Sequence, residues 1–300
     1  MKAVTLNKLY TAEHTDFKGV HSYVDDNGEL FVTAPAATHK VVNIKQAEGY
    51  KRRLVAEKTC GRNHDFTLSN MQYIAEIGRE LDDKYCGYLL YLQCFIGYES
   101  GAIVNADKTP MSRQQIQKTL GLKETAFKAF MKEMNKYSII VQCDSSYRIN
   151  EKFHFKGTTS NTQVIKSFTA KVKELYKTVS AKDLGFIYKL LPHVHLKTNT
   201  ICSNPYETDE TKTIPLSKGE IATLTGVSEK TVYNKLNKLI LDGQYVFAEL
   251  EGTSQFAYYR INPFIFYRKN GRPDASLVEM FAIKARSKSR KRGEKENAKN

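Results

Sequence analysis

No apolar run in these 300 residues approaches the roughly 18–20 residues that a membrane-spanning helix needs. That argues against a helical span, and no membrane partner is expected. The first residues, Met1-Lys2-Ala3-Val4-Thr5, lack the apolar core of a signal peptide. Cysteine is scarce and odd in number: Cys60, Cys86, Cys94, Cys143 and Cys202, with no Cys-x-x-Cys pair. Cys86 and Cys94 stand among apolar neighbours, where a free thiol behaves as a small hydrophobe. This usage points to a reducing cytoplasm and away from a disulfide framework.

The usual signs of catalysis are also missing. There is no Gly-x-x-x-x-Gly-Lys loop for a nucleotide, no paired carboxylates and no nucleophile–base arrangement. Cys60 and His64 could supply two zinc ligands, but no second pair lies close. His193-Val194-His195 has the His-hydrophobic-His pattern of rolling-circle nucleases, which hold the pair on a strand around a metal. Here Pro192 ends a helix just before it, so histidines at a helix C-terminus are the simpler reading. No catalytic residue, metal, cofactor or enzymatic activity is expected.

Positive charge is abundant. The net charge is +14 and the pI near 9.4, which suits a polyanionic partner, nucleic acid before an anionic membrane surface. Hydrophobic residues make up 41%, enough for a packed core everywhere except the last few dozen residues. Two segments concentrate the charge. Residues 40–62, including Lys51, Arg52 and Arg53, carry a net +5, and read equally as a phosphate-contacting strap or a solvated connector. Residues 284–300 carry a net +6, including Lys288, Arg290, Lys291 and Arg292. They have too few apolar groups to offset ordering entropy, so a disordered, DNA-contacting tail is expected.

Between these segments the chain repeats itself. Ser112, Ile116 and Gly121 match Ser217, Ile221 and Gly226 at an offset of 105, and Glu124, Phe127 and Met131 match Glu229, Val232 and Leu236. Tyr147-Arg148-Ile149-Asn150 matches Tyr259-Arg260-Ile261-Asn262 at an offset of 112, so the second hairpin is read as longer by seven residues. Ser112 with Gln115, and Ser217 with Glu220, have the spacing of reciprocal helix caps. Ser180 with Asp183 resembles a third. Gly121 and Gly226 are natural helix stops. Ile74, Ile77 and Leu81 sit at helical spacing, as do Val164, Phe168, Val172, Leu175 and Tyr176. Asp26-Asn27-Gly28 between apolar runs predicts a hairpin in the N-terminal arm.

The expected fold is therefore mainly α with small β-hairpins: two tandem winged helix-turn-helix modules, an N-terminal β-hairpin arm and a disordered basic C-terminal tail. The expected divisions are 1–66 for the arm, 67–157 and 158–272 for the modules, and 273–300 for the tail. In the helix after Ser228, Val232, Leu236, Leu239 and Ile240 make one buried stripe. The opposite face offers Lys230, Thr231, Asn234 and Asn237 to bases, with Ser217, Ser228, Tyr233 and Lys238 placed for the DNA backbone. The equivalent helix 124–136 offers Thr125, Lys128, Ala129, Lys132 and Glu133. It is a weaker reader, a phosphate-binding module through Lys128 and Lys132, or a dimerisation module. Glu249 and Glu251 near the second hairpin turn make that wing a poor basic strap.

The second module resembles the RepL-type replication proteins of small Gram-positive plasmids. The residues that carry the resemblance are Phe186 to His195, Asn199-Thr200, Glu220-Ile221-Ala222, Thr225-Gly226-Val227-Ser228, Thr231-Val232, Leu236, Leu239, Ile261-Asn262-Pro263 and Gly271. The match spans roughly 164–271 and is fainter over 68–157, where Asn150 is followed by Glu151 rather than Pro. The resemblance implies a winged-helix fold and a plasmid or phage DNA-binding protein that binds its replication origin. Transcriptional regulation of a mobile element, and a protein-interaction or host-takeover role, are the alternatives. The expected partners are double-stranded DNA, a second copy of the chain, and host replication or transcription proteins. The expected location is the bacterial cytoplasm, at the nucleoid or a plasmid.

Overall fold

The computed structural model describes residues 20–37, 48, 65–143, 146–250, 257–271 and 273–282. The chain forms two compact units, residues 1–63 and 64–300. In the first unit, β1 (His21–Val24) and β2 (Leu30–Thr33) pair antiparallel. Their turn forms where Asp-Asn-Gly predicts it: Asp25 Oδ1 accepts from the Asn27 and Glu29 amides at 3.0 and 2.7 Å, and Gly28 takes φ +77°. The expected strap residues Lys51, Arg52 and Arg53, the Cys60–His64 pair and the basic stretch 284–300 lie outside the described residues. Residues 273–282, expected as part of the disordered tail, are instead ordered, because Phe281 is buried in the second unit.

The second unit is a duplication with an approximate two-fold axis. Its first half runs β3 (Phe66–Asn70), α1 (Met71–Glu80), α2 (Asp83–Leu92), α3 (Arg113–Leu120), α4 (Glu124–Lys136), β4 (Ile140–Cys143), β5 (Ser146–Ile149) and β6 (His154–Phe155). Its second half runs β7 (Val164–Phe168), α5 (Thr169–Thr178), α6 (Ala181–Leu190), α7 (Lys218–Thr225), α8 (Glu229–Lys238), β8 (Ile240–Leu241), β9 (Gln244–Tyr245), β10 (Phe247–Leu250), β11 (Tyr258–Ile261) and β12 (Phe266–Tyr267). A short helix, α9 (Val278–Phe281), follows. The described residues thus hold nine α-helices and small antiparallel sheets, with no barrel.

The axis is visible in the strand register. One four-stranded sheet has the order β12-β7-β3-β6, and β3 pairs with β7 so that Leu68 faces Lys166, Phe66 faces Phe168 and Asn70 faces Val164. Each strand therefore meets its own counterpart, 98 residues away, about a common centre. The helices obey the same relation. α1 packs on α6 and the turn 191–193, while α5 packs on α2 and the turn 93–95, so the halves exchange their first helices. Tyr91 of α2 stacks on Tyr176 of α5 with centroids 3.8 Å apart, and the Tyr176 hydroxyl donates to the Leu120 carbonyl at 2.8 Å. Between the sheet and the helices lies a buried polar network. Thr67 and Ser69 donate to Gln93 Oε1 at 3.3 and 3.1 Å, and His154 bridges Ser69 Oγ and the Tyr188 hydroxyl, both at 2.9 Å.

The sheet is what helical spacing conceals. Val164 and Phe168 belong to β7, and the helix begins only at Thr169. Residues spaced by four also share one face of a strand, and here the strand ladder wins. The four-stranded sheet also adds β-structure beyond the expected small hairpins, and β3 already starts at Phe66, inside the expected arm. The extra length of the second half is not in one hairpin either. The offset of 105 between Ser112 and Ser217 becomes 107 between Ile140 and Phe247, and 112 between Ile149 and Ile261. Two of the added residues thus lie in the β8–β9 turn, where Asp242 and Gly243 both have positive φ, and five lie in the β10–β11 turn.

Candidate functional site

The site is assembled by two capped helices. Ser217 Oγ accepts from the Glu220 amide at 3.3 Å, and the Glu220 carboxylate accepts from the Ser217 amide at 2.8 Å and from its hydroxyl at 2.7 Å. The reciprocal cap satisfies amides that the first turn of α7 leaves free. It also holds the Glu220 carboxyl below its ordinary range, through the Ser217 backbone and side-chain bonds. α7 ends at Gly226 with φ +71°, a conformation that costs a residue with a side chain about 1 kcal/mol or more. The chain then turns, and Ser228 caps α8 by accepting from the Thr231 amide at 3.3 Å. The first half repeats this: Ser112 and Gln115 make the reciprocal cap of α3, and Gly121 ends it at φ +64°.

Val232 and Leu236 fix the inward face of α8; both are buried, as is Leu239 just beyond its end. Ile240, expected in the same stripe, is 38% exposed, because the helix stops at Lys238 and Ile240 enters strand β8 with its side chain outward. On the outer side Lys230, Tyr233 and Lys238 are exposed, and Thr231, Asn234 and Asn237 are half-buried. Lys230 and Lys238 make no ion pair among the described residues, and the Asn234 and Asn237 amides carry no hydrogen bond to another described residue. Tyr233 packs under Lys218, whose Nζ lies 5.1 Å from the ring centroid.

Three of the expected contacts are already engaged within the fold. The Ser217 hydroxyl donates to Glu220, and the Ser228 and Thr231 hydroxyls bond each other at 2.9 Å. Thr231 retains its methyl group for an outside partner, and the two serines act first as caps. Lys235, which no motif or spacing singles out, turns inward to pair with Asp183 and lies 5.4 Å from the Phe186 ring centroid. Asp183 in turn accepts the Ser180 hydroxyl at 2.6 Å, but, one methylene shorter than Glu220, it makes no return bond to the Ser180 amide. Burial alone would raise the Asp183 carboxyl, but the Lys235 and Ser180 bonds outweigh it and hold it low.

The equivalent surface of the first half is more self-contained. Glu124 at the start of α4 lies 3.7 Å from Arg113 and 3.5 Å from Lys128, so the Lys128 charge is shared. Lys132 is exposed and unpaired among the described residues. Phe127, Phe130, Met131 and Met134 form the buried face. In the second hairpin, Glu249 accepts from the Tyr259 hydroxyl at 3.0 Å and meets Lys218 at 3.6 Å; Glu251 lies outside the described residues.

The motif residues that carry the resemblance turn out to be joints. Asn199, at φ +55°, donates from Nδ2 to the Ile261 and Phe266 carbonyls at 3.3 and 2.8 Å. Asn262 donates to the Tyr245 carbonyl at 3.1 Å and accepts from the Phe264 amide at 3.0 Å. His195 is a joint as well. Its Nε2 meets the Glu207 carbonyl at 2.9 Å, which requires Nε2–H, and its Nδ1 accepts from the Thr198 amide at 3.4 Å and lies 3.0 Å from the Thr198 hydroxyl. His195 is thus spent on protein partners. His193 sits in a one-turn helix, Leu191–His193, with its Nδ1 buried and unpartnered among the described residues. No group of three or more potential metal ligands occurs among the described residues, and none of their helices is long and apolar enough to cross a membrane. No family model matches the chain, and neither curated proteins nor solved structures provide a match.

Proposed function

We propose that this chain is a sequence-specific double-stranded DNA-binding protein made of two winged-helix modules, and that α8 is its principal base-reading helix. The observation that carries this reading is the outer side of α8. A helix held on a short, capped, left-handed turn presents an exposed tyrosine and, on the same side, two lysines and two amides that are unpaired among the described residues. Amides of this kind pair bidentately with adenine, and lysines with guanine or phosphate. The adjacent hairpin β10–β11 supplies the wing, and the net charge of +14 supplies a long-range attraction.

The approximate two-fold axis gives the single chain two such helices, α4 and α8, in an unequal pair. α8 reads bases and α4 contributes mainly phosphate contact through Lys132 and, with its charge shared, Lys128. The process is replication initiation at the origin of a plasmid or phage, with the bacterial cytoplasm as its setting. The test is selection of bound fragments from random and own-genome DNA by the purified chain, followed by footprinting. Iterated repeats beside its own gene are the expected result. Single promoter sites would make it a transcriptional regulator instead, and retention of no fragment would overturn DNA binding altogether.

A further inference from the structure

Lys166, Lys197, Arg268 and Lys269 line one open groove of about 820 Å³ on the sheet, and no Asp or Glu among the described residues lines it. They come together from β7, the turn after His195 and the end of β12. The groove floor is the outer face of the central strands, with Phe66 and Leu68 of β3 beside Val164 and Lys166 of β7. It lies on the axis that relates the two halves, where Leu68 faces Lys166. The polar loop 157–162 forms one wall.

Among the described residues these four side chains form no ion pair with a carboxylate; Asp209, the acidic group that feels the Lys197 charge, pairs with Lys212 at 3.7 Å. Arg268 is 6% exposed, yet the only hydrogen-bond partners of its guanidinium among the described residues are carbonyls, Val194 at 2.8 Å, Pro205 at 2.6 Å and Thr162 at 3.2 Å, and it lies 5.3 Å from the Tyr206 ring centroid. Its Nε has no partner among the described residues. Lys166 is half-buried; its Nζ donates to the Lys269 carbonyl at 2.7 Å and lies 5.1 Å from the Phe66 ring centroid. Burial pulls both groups down from their ordinary values. Asp65, beside Phe66 in sequence, is taken by Lys156 at 2.6 Å. Cations withdrawn from water are costly unless an opposite charge meets them, and carbonyl dipoles compensate only in part. The carbonyl bonds explain why Arg268 is held there. They do not explain why three lysines gather beside it with no carboxylate among the described lining residues.

We propose that this groove is a binding site for a phosphate group, held by Lys166, Lys197, Lys269 and the Arg268 guanidinium. Guanidinium and ammonium groups together are the usual chemistry of phosphate recognition. The phosphate comes either from a small phosphorylated molecule or from a DNA backbone crossing the axis. The test uses the full chain and a double variant, Lys197→Gln with Lys269→Gln, since their ammonium groups bond no other described residue, whereas Lys166 bonds a carbonyl and Arg268 holds the loops together. A control variant, Lys177→Gln with Lys182→Gln, removes the same charge from an exposed region outside the groove.

Two arms separate the sources. Calorimetric titration with pyrophosphate reads the small-molecule source: saturable one-to-one binding, weakened about tenfold or more in the groove variant and unchanged in the control, is the expected result. Titration with a mixed-sequence DNA duplex over a range of salt reads the backbone source. There the groove variant lowers the slope of log affinity against log salt by about two, one for each lysine replaced. Either result supports the site and identifies its ligand. If the groove variant matches the control in both arms, the site is overturned. The pyrophosphate arm stands whether or not the chain binds DNA, so failure of the site and failure of the DNA-binding reading remain distinct.

Discussion

Gly87 and Gly185 occupy equivalent places on the helices that cross at the centre of the second unit, each against the first residue of the other helix. A Cβ added at Gly87 would overlap the Ala181 carbonyl, and one added at Gly185 would overlap the Asp83 carbonyl. Alanine is favoured over glycine in a helix by about 1 kcal/mol. Here the obstruction is backbone, which no rotamer change relieves, and forcing helices apart costs about 1–3 kcal/mol or more. Gly87→Ala and Gly185→Ala are therefore each expected to lower stability by about 1–2 kcal/mol in urea unfolding. A rise in stability from either would show that the helices are not in backbone contact there.

On the proposed DNA-binding reading, base reading and backbone contact by α8 are separable by mutation. Asn234→Ala is expected to cost about 1–3 kcal/mol at the selected site and little on random DNA. Lys238→Gln should weaken both by similar factors and reduce the salt slope by about one. Equal losses on both DNAs for Asn234→Ala would remove that residue from base reading.

Deleting residues 284–300 removes a net +6. Affinity for every DNA is expected to fall, with a flatter dependence on salt. Unchanged affinity at low salt would rule out a DNA role for this segment.

The reciprocal caps give a stability prediction. Ser112→Ala and Ser217→Ala each remove the acceptor for an amide in the first helical turn. Each is expected to cost about 1 kcal/mol, read as a lower midpoint in urea. In Ser217→Ala the loss of DNA affinity should exceed that of Ser112→Ala, because Ser217 orients the helix that precedes α8.

His154 makes stability depend on pH. Burial pushes its imidazole down to about 3. The bonding around it fits the neutral ring: Nδ1–H donates to Ser69, whose hydroxyl serves Gln93, and the Tyr188 hydroxyl donates to Nε2. The unfolded chain, with an ordinary histidine near 6.5, binds the proton first. The contribution is thus complete above about pH 6.5 and is lost as pH falls towards the folded value, at up to about 1.4 kcal/mol per pH unit. His193, also lowered by burial, adds in the same direction. Urea unfolding from about pH 7.5 to 5 should show this loss, with a shallower slope in His154→Gln. Identical slopes would mean that His154 takes up its proton as readily in the folded as in the unfolded chain.

Much of the local structure is legible in the residues. Ser112-x-x-Gln115 and Ser217-x-x-Glu220 announce helix starts because their side chains reach only the amides of their own first turn. Gly121 and Gly226 announce stops because a left-handed residue disfavours a Cβ. Asn27-Gly28 announces a turn for the same reason. Ile240 misleads because period alone does not say where a helix ends, and the Asp242-Gly243 turn ends this one early. Val164 and Phe168 mislead because a spacing of four fits both a helix and a strand face.

The sequence by itself determined the duplication, the capped helices, the two short turns and the outer side of α8, all but the first set by interactions within about a dozen residues. Only the tertiary structure decided the rest. The pairing of β3 with β7, the exchange of α1 and α5 between halves, and the gathering of Lys166, Lys197, Arg268 and Lys269 join residues from about thirty to a hundred apart. Such contacts depend on which backbone surfaces approach closely enough to pack, as at Gly87 and Gly185. No local propensity encodes that approach.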